Sequence, residues 1–207
     1  MTPCGCTHLH QPKRIVVTGG PGAGKTATLE LIRQAFCPHV HVLPESASIV
    51  FGGGFPRDSA SKRAAQRAIY HVQRELESSV AGADYALVLC DRGTVDGLAY
   101  WPDSDDMLAQ VGTSLRMELG RYDTVIHLRT PSEGYDSSNP LRIETAAEAA
   151  AIDARIAGIW AAHPRLFQVP ATKDFLTKVR LAIEIVLAEV PTCCQGLAER
   201  PMQAHEP

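Results

Sequence analysis

The sequence predicts an α/β fold, a parallel β-sheet with helices on both faces, and three observations carry that prediction. Five short runs have consecutive rather than alternating apolar positions, as strands do when both of their faces are covered. Segments with helical spacing separate the runs, giving the β-α-β-α order of a parallel sheet. A glycine-rich turn follows the first run directly and opens into a helix, which places it at the sheet edge where open parallel sheets bind ligands.

The elements follow in order. Arg14–Thr18 is the first strand, and Thr26–Phe36 is the helix beyond the glycine turn. Val40–Leu43 is the second strand. A long helix follows over Ser59–Ala81, with Asp58 as N-cap and Ala65, Ala68, Ile69, Val72, Leu76 and Val80 as its apolar stripe. Tyr85–Cys90 is the third strand, Asp105–Gly120 a helix and Thr124–Leu128 the fourth strand. Ala146–Ala161 is a helix whose stripe of Ile152, Ile156 and Trp160 assigns that tryptophan to the core. Leu166–Val169 is the fifth strand. Lys173–Val190 closes the domain, with Phe175, Leu176, Val179, Ile183 and Val186 facing inward.

These elements make one domain over residues 13–190, between a loose leader, 1–12, and a loose tail, 191–207. The length of 207 residues and a composition of 45% hydrophobic and 21% charged residues are those of an ordinary globular chain. A net charge of -3 gives no basic footprint, so nucleic acid is not an expected partner. No secretory signal and no integral membrane segment is legible, and the six cysteines form no dense framework, so a cytoplasmic protein with reduced thiols is expected. In the leader, CGCTHLH sets Cys4, Cys6, His8 and His10 at every second position. These are metal-ligand types without the paired C-x2-C spacing of structural zinc, so the sequence alone assigns no metal there.

The most specific motif is GGPGAGKT, comprising Gly19, Gly20, Pro21, Gly22, Ala23, Gly24, Lys25 and Thr26. It matches G-x-x-x-x-G-K-[ST], the Walker A pattern, in its required place between a strand and a helix. Glycines let backbone N–H groups converge on phosphate oxygens, and the helix N-terminus adds partial positive charge. Lys25 is expected to reach the outer phosphates of a nucleoside triphosphate, and Thr26 to offer its hydroxyl to Mg²⁺. ATP is the expected nucleotide. An N-K-x-D guanine reader is missing, since Asp174 follows Lys173 directly, although that leaves GTP open.

Asp91 ends the third strand and is expected to share the metal with Thr26. Arg92 follows it, where a hydrolase would often carry a water-activating Glu; as a cation it is suited to touch phosphate or acceptor. Glu45, just past the second strand, is the candidate base for an acceptor hydroxyl. Asp96 reads equally as a crevice acid or as a first-turn acid favouring a helix dipole. After the fourth strand, Leu128–Glu144 mixes turn formers with charges and reads as a lid, with Arg142 as the first choice and Arg155 as the second for closing over the transferring phosphate.

An acceptor would lie between these groups. Gly52–Gly54, flanked by Phe51 and Phe55, reads as a flexible substrate loop. Gln66, Tyr70 and Gln73 share a helix face suited to hydrogen-bond an acceptor, whereas Arg63, Arg67 and Arg74 read as a solvated face. Tyr100 and Trp101 are suited to stack on a flat ring, with core packing favoured for Trp101. Two functions fit: a kinase passing the γ-phosphate to a small hydroxyl-bearing acceptor, or a regulatory switch with slow hydrolysis and a protein or lipid partner.

GGPGAGKTATLE, PES, GGGFP, DRGTVDGLAYWP, RYDTVIHL, NPLRIE and DARIAGIWAAHP, taken in order over Lys13 to Val190, resemble the NadR-like AAA-type P-loop domain group. That group also includes the nucleotide-binding domain of the TRPL translocation defect protein. The resemblance implies a P-loop, kinase-like fold, with a five-stranded sheet in the order 2-3-1-4-5, that binds ATP or GTP with Mg²⁺. Lys25, Thr26 and Asp91 carry over, while Glu45, Arg142 and Arg155 carry over as matching positions. It leaves open whether such a domain is a small-molecule kinase or a regulatory binder. NadR proper has a further nucleotidyl-transfer domain for which these residues leave no room, so the implied NAD-related role narrows to phosphorylating a nucleoside.

Overall fold

The computed structural model describes residue 6 and residues 8–102, 106–131, 145–172 and 174–195. Five parallel strands, β1 (Lys13–Thr18), β2 (Val40–Leu43), β3 (Leu87–Asp91), β4 (Thr124–Leu128) and β5 (Leu166–Val169), pair in the order β2-β3-β1-β4-β5. The order is the expected one. Strand β3 runs to Asp91 and starts at Leu87 rather than Tyr85; Ala86 and Leu87 donate their N–H groups to the His39 carbonyl before pairing begins.

The consecutive apolar positions have the expected cause. Ile15, Val17, Leu87, Leu89, Ile126 and Leu128 point to one face, against Leu29 and Ile32 of α1 (Lys25–Ala35) and Ala182 and Val186 of α7 (Phe175–Glu189). Val16, Val88, Cys90 and Val125 point to the other, against Ile152, Ile156 and Trp160 of α6 (Ala146–Trp160). The edge strand β5 departs from the rule, because Phe167 and Gln168 are exposed.

The helices differ from expectation in several places. A short helix, α2 (Ser46–Gly52), occupies the start of the predicted substrate loop. The long helix α3 is Lys62–Ser79, and Asp58 accepts from the Ser61 N–H at 2.8 Å, capping the turn before the helix rather than the helix itself. Its most buried face is polar, made of Gln66, Tyr70, Gln73 and Glu77, while Ala68, Ile69, Val72 and Leu76 of the apolar stripe are half-buried. The predicted helix over 105–120 is two, α4 (Met107–Gln110) and α5 (Leu115–Leu119), because Gly112 takes a left-handed φ of 72° between them. Asp106 and Ser114 cap these two.

In α7 the inner face is Lys178, Val179, Ala182 and Val186, while Phe175 and Leu176 are exposed. Asp174 caps this helix by accepting from the Leu176 and Thr177 N–H groups, and Thr145 with Glu148 forms a capping box at the start of α6. The short tail turn Thr192–Cys194 packs back, burying Cys194, and the His10 N–H donates to Asp84 Oδ1 at 2.8 Å.

Candidate functional site

All the strands run the same way, so β1, β2 and β3 deliver their following residues to one edge. β1 ends in the glycine loop. Gly19 takes a φ of 143°, and a Cβ there would lie 2.2 Å from the Leu128 carbonyl oxygen. At Gly20 a Cβ would meet Thr130 Oγ1 at 2.6 Å and Asp153 Cβ at 2.8 Å. The loop is therefore clamped between the ends of β1 and β4 and the start of α6, and side chains at those positions would push it out of place.

Lys25 is buried, donating to the Gly19 and Gly20 carbonyls at 3.1 Å each. Burial, aided by the Arg92 charge, lowers its pKa to about 8, against the pull of Asp91, Glu45 and Asp96. Thr26 Oγ1 donates to Asp91 Oδ2 at 3.1 Å. The other Asp91 oxygen, Oδ1, is buried without a hydrogen-bond partner. Burial raises the Asp91 carboxyl above its usual range, and the like charge of Glu45 adds to this, while Lys25, Arg92 and Thr26 oppose it.

Arg92 joins the pieces. It takes a left-handed φ of 77° right after β3, and its N–H donates to the Val17 carbonyl. Its guanidinium donates from Nε to Glu45 Oε1 at 2.8 Å and from Nη1 to the Gly19 carbonyl at 3.3 Å, and Nη1 lies 3.5 Å from Asp96 Oδ2. Burial opposes its charge, but Tyr100, Asp96 and Glu45 hold the group well above its ordinary pKa. Glu45 also accepts from Ser48 Oγ at 2.5 Å. Burial pushes the Glu45 carboxyl up, and Arg92, Ser48 and Lys25 outweigh it, holding it below the usual carboxylate range.

Asp96 is buried and fully engaged, accepting from Thr18 Oγ1 at 2.6 Å and from the Trp160 indole N–H at 2.7 Å. It braces the edge from beneath, and Trp160 is both core and support.

These groups open into a crevice of about 990 Å³ that runs from Pro21, Lys25 and Thr26 past Glu45 and Arg92 to the polar face of α3. Gln66, Tyr70 and Gln73 line it, as do Phe51, Tyr100 and Trp101. Trp101 is half-buried at the wall rather than in the core, with the Arg63 guanidinium 6.0 Å from its ring. The Tyr70 hydroxyl donates to Glu118 Oε1 and Gln73 Nε2 to Glu77 Oε1, which leaves Gln73 Oε1 without a hydrogen-bond partner. Arg74 and Arg67 are half-buried and bond Glu118 and Gln110, while Arg63 is exposed. Arg155 is exposed at the crevice mouth. Arg142 and the rest of 132–144 lie outside the described residues.

Two supports of the loop were not predicted. Asp153 Oδ1 accepts from the Gly20 N–H at 3.0 Å and bonds His127 Nε2 at 2.8 Å, while Oδ2 pairs with Arg129 at 2.9 Å. Burial pushes the Asp153 carboxyl up, but these partners outweigh it and lower its pKa. Lys178 donates to the Ala23 and Arg129 carbonyls at 3.2 and 2.8 Å. Both residues sit within apolar helical stripes, beside Ile152 and Val179, and a charge in such a stripe is the signal that could have found them.

A family model described as AAA domain matches residues 14–175. The chain belongs to this AAA-domain family. Its likeness to solved structures places this AAA-domain chain in the P-loop, kinase-like fold. A NadR protein in complex with NR superposes with a TM-score of 0.67 at 18% identity, over 88% of this chain and 52% of that one. A deoxyadenosine kinase from M. mycoides with bound dATP gives 0.62 at 14% identity, over 84% and 98%. Thymidylate kinase from Candida albicans gives 0.62 at 14%, over 86% and 92%. The chain thus spans about half of the NadR protein and nearly all of the two kinases. No curated protein matches it.

Proposed function

We propose that this AAA-domain chain is a small-molecule kinase that passes the γ-phosphate of ATP to a hydroxyl of a nucleoside-like acceptor. One observation carries the reading: the crevice continues beyond the phosphate loop to a polar and aromatic chamber, with the Glu45 carboxylate between the two parts. A site for a nucleotide alone needs no such chamber. The likeness to a deoxyadenosine kinase and a thymidylate kinase agrees with it.

In this reading the loop amides and Lys25 bind the phosphates, and Arg92 orients Glu45. Thr26 and Asp91 would hold Mg²⁺: both offer hard oxygens, and the partnerless buried Asp91 Oδ1 is suited to a cation. When bound, that ion neutralises charge on the phosphates. A carboxylate held as low as Glu45 is a weak base, so it takes the acceptor proton as the hydroxyl turns acidic late in transfer, which suits the loose transition state of phosphoryl transfer. Gln73 and Gln66 would hydrogen-bond the acceptor, with Trp101 or Phe51 against its ring. Arg155, with Arg142, would cover the transferring charge.

The test is ATP turnover across a panel of ribo- and deoxyribonucleosides, with the phosphorylated product identified by mass. Turnover that rises strongly with one acceptor, and collapses in Glu45→Gln, supports transfer. Slow hydrolysis indifferent to every acceptor, with nucleotide-dependent protease sensitivity over Phe51–Arg57, would replace the kinase with a regulatory switch.

A further inference from the structure

The edge of the sheet opposite the crevice carries a second constellation. His10 precedes β1, His39 precedes β2 and Cys194 follows the end of α7, so all three reach the amino-terminal edge, where Cys6 joins them. Cys6 Sγ lies 3.3 Å from His10 Nε2, and Cys194 Sγ lies 3.4 Å from His10 Nε2 and 3.6 Å from His39 Nδ1. All four ligand atoms lie within 4.8 Å of one another.

We propose that Cys6, His10, His39 and Cys194 form a tetrahedral zinc site that fastens the leader and the tail to the sheet. Zinc bonds of about 2.3 Å to sulfur and about 2.0 Å to nitrogen, at tetrahedral angles, set neighbouring ligand atoms about 3.5 Å apart, close to the 3.3, 3.4 and 3.6 Å of three of the sulfur–nitrogen pairs here. Hydrogen bonding alone serves the cluster poorly: His10 Nε2 faces two sulfurs yet has one proton or one lone pair to offer. A cation at the centre satisfies every atom at once, and two thiolates cancel the charge of Zn²⁺. The soft sulfur and imidazole set selects zinc over magnesium or calcium. The leader's alternation supplies only half of the site: Cys6 and His10 are drawn from it, and His39 and Cys194 come from elsewhere.

The site lies away from the crevice, so its test is independent of the kinase reading. The full chain, grown with zinc and desalted, should hold about one zinc per chain. Co²⁺ in its place should give the intense visible absorption of a tetrahedral thiolate complex. Because Cys193 Sγ is 4.0 Å from Cys194 Sγ and is able to substitute for it, the decisive variant is Cys6→Ser with Cys193→Ser and Cys194→Ser. That variant should lose at least about nine-tenths of the zinc while still binding ATP. Should it fail to fold, His39→Asn and a chelator-induced fall in the Tm of the unaltered chain read the same property. Wild-type protein that takes up no zinc, a disulfide among these cysteines in reduced preparations, or zinc retained in the triple variant would each overturn the proposal.

Discussion

The two edges of the sheet solve the problem of buried polar groups in opposite ways. At the carboxyl edge the partners are local to the strand ends: Lys25 on loop carbonyls, Arg92 on Glu45 and Gly19, Asp96 on Thr18 and Trp160. Among the buried atoms without a partner there, Asp91 Oδ1, Gln73 Oε1 and Trp101 Nε1 line or adjoin open space suited to a ligand. At the amino edge the clustered atoms come from the two ends of the chain and from the turn before β2. The contrast teaches that the carboxyl edge leaves buried polar atoms facing a crevice, whereas the amino edge turns its polar atoms on one another.

The comparison breaks most sharply at Glu45. Glu45→Gln should lower transfer by about 10²–10⁴-fold, the range for loss of a positioned acid or base, while ATP affinity and zinc content hold; steady-state kinetics with the true acceptor measures it. Asp153→Ala should cost about 3 kcal/mol in chemical denaturation, because it strands buried His127 and frees the Gly20 N–H. Nucleotide affinity should fall with it, which a merely structural aspartate at the amino edge would not cause.

A milder effect comes from Lys25, with its pKa of about 8. Phosphates favour its charged form, so ATP affinity should be flat below pH 8 and fall by up to about tenfold per pH unit above it, as binding then takes up a proton. Titration calorimetry in two buffers of different ionisation enthalpy checks the proton uptake, and Lys25→Arg should remove the pH dependence. The smallest effect belongs to Asp174→Ala, which removes the α7 cap and should cost about 1 kcal/mol without altering turnover.

What could be read in the sequence depended on how locally each feature is encoded. The strands and the glycine loop were legible because a doubly covered strand shows as a continuous apolar run and the loop motif is contiguous, whereas the strand order came with the family resemblance. Helix α2 was hidden by the glycines that end it. The face of α3 was misjudged because the rule that apolar residues go inward fails beside a polar crevice, where Gln66, Tyr70, Gln73 and Glu77 are more buried than Val72. Asp153 and Lys178 escaped notice because their partners lie on loops far away in sequence. The Cys and His residues of the leader were noticed, but half of their company, His39 and Cys194, could be supplied only by the fold.

That company also bears on how the chain matures. Cys6 and Cys194 are separated by nearly the whole sequence, so joining them through one ion makes the polypeptide a ring. Ring closure takes most from the entropy of the unfolded ensemble when the ring is large, on the order of 5 kcal/mol at this size if the clasp is unstrained. A ribosome releases Cys194 long after β1 and its glycine loop have emerged. The nucleotide edge is thus free to assemble before the clasp closes.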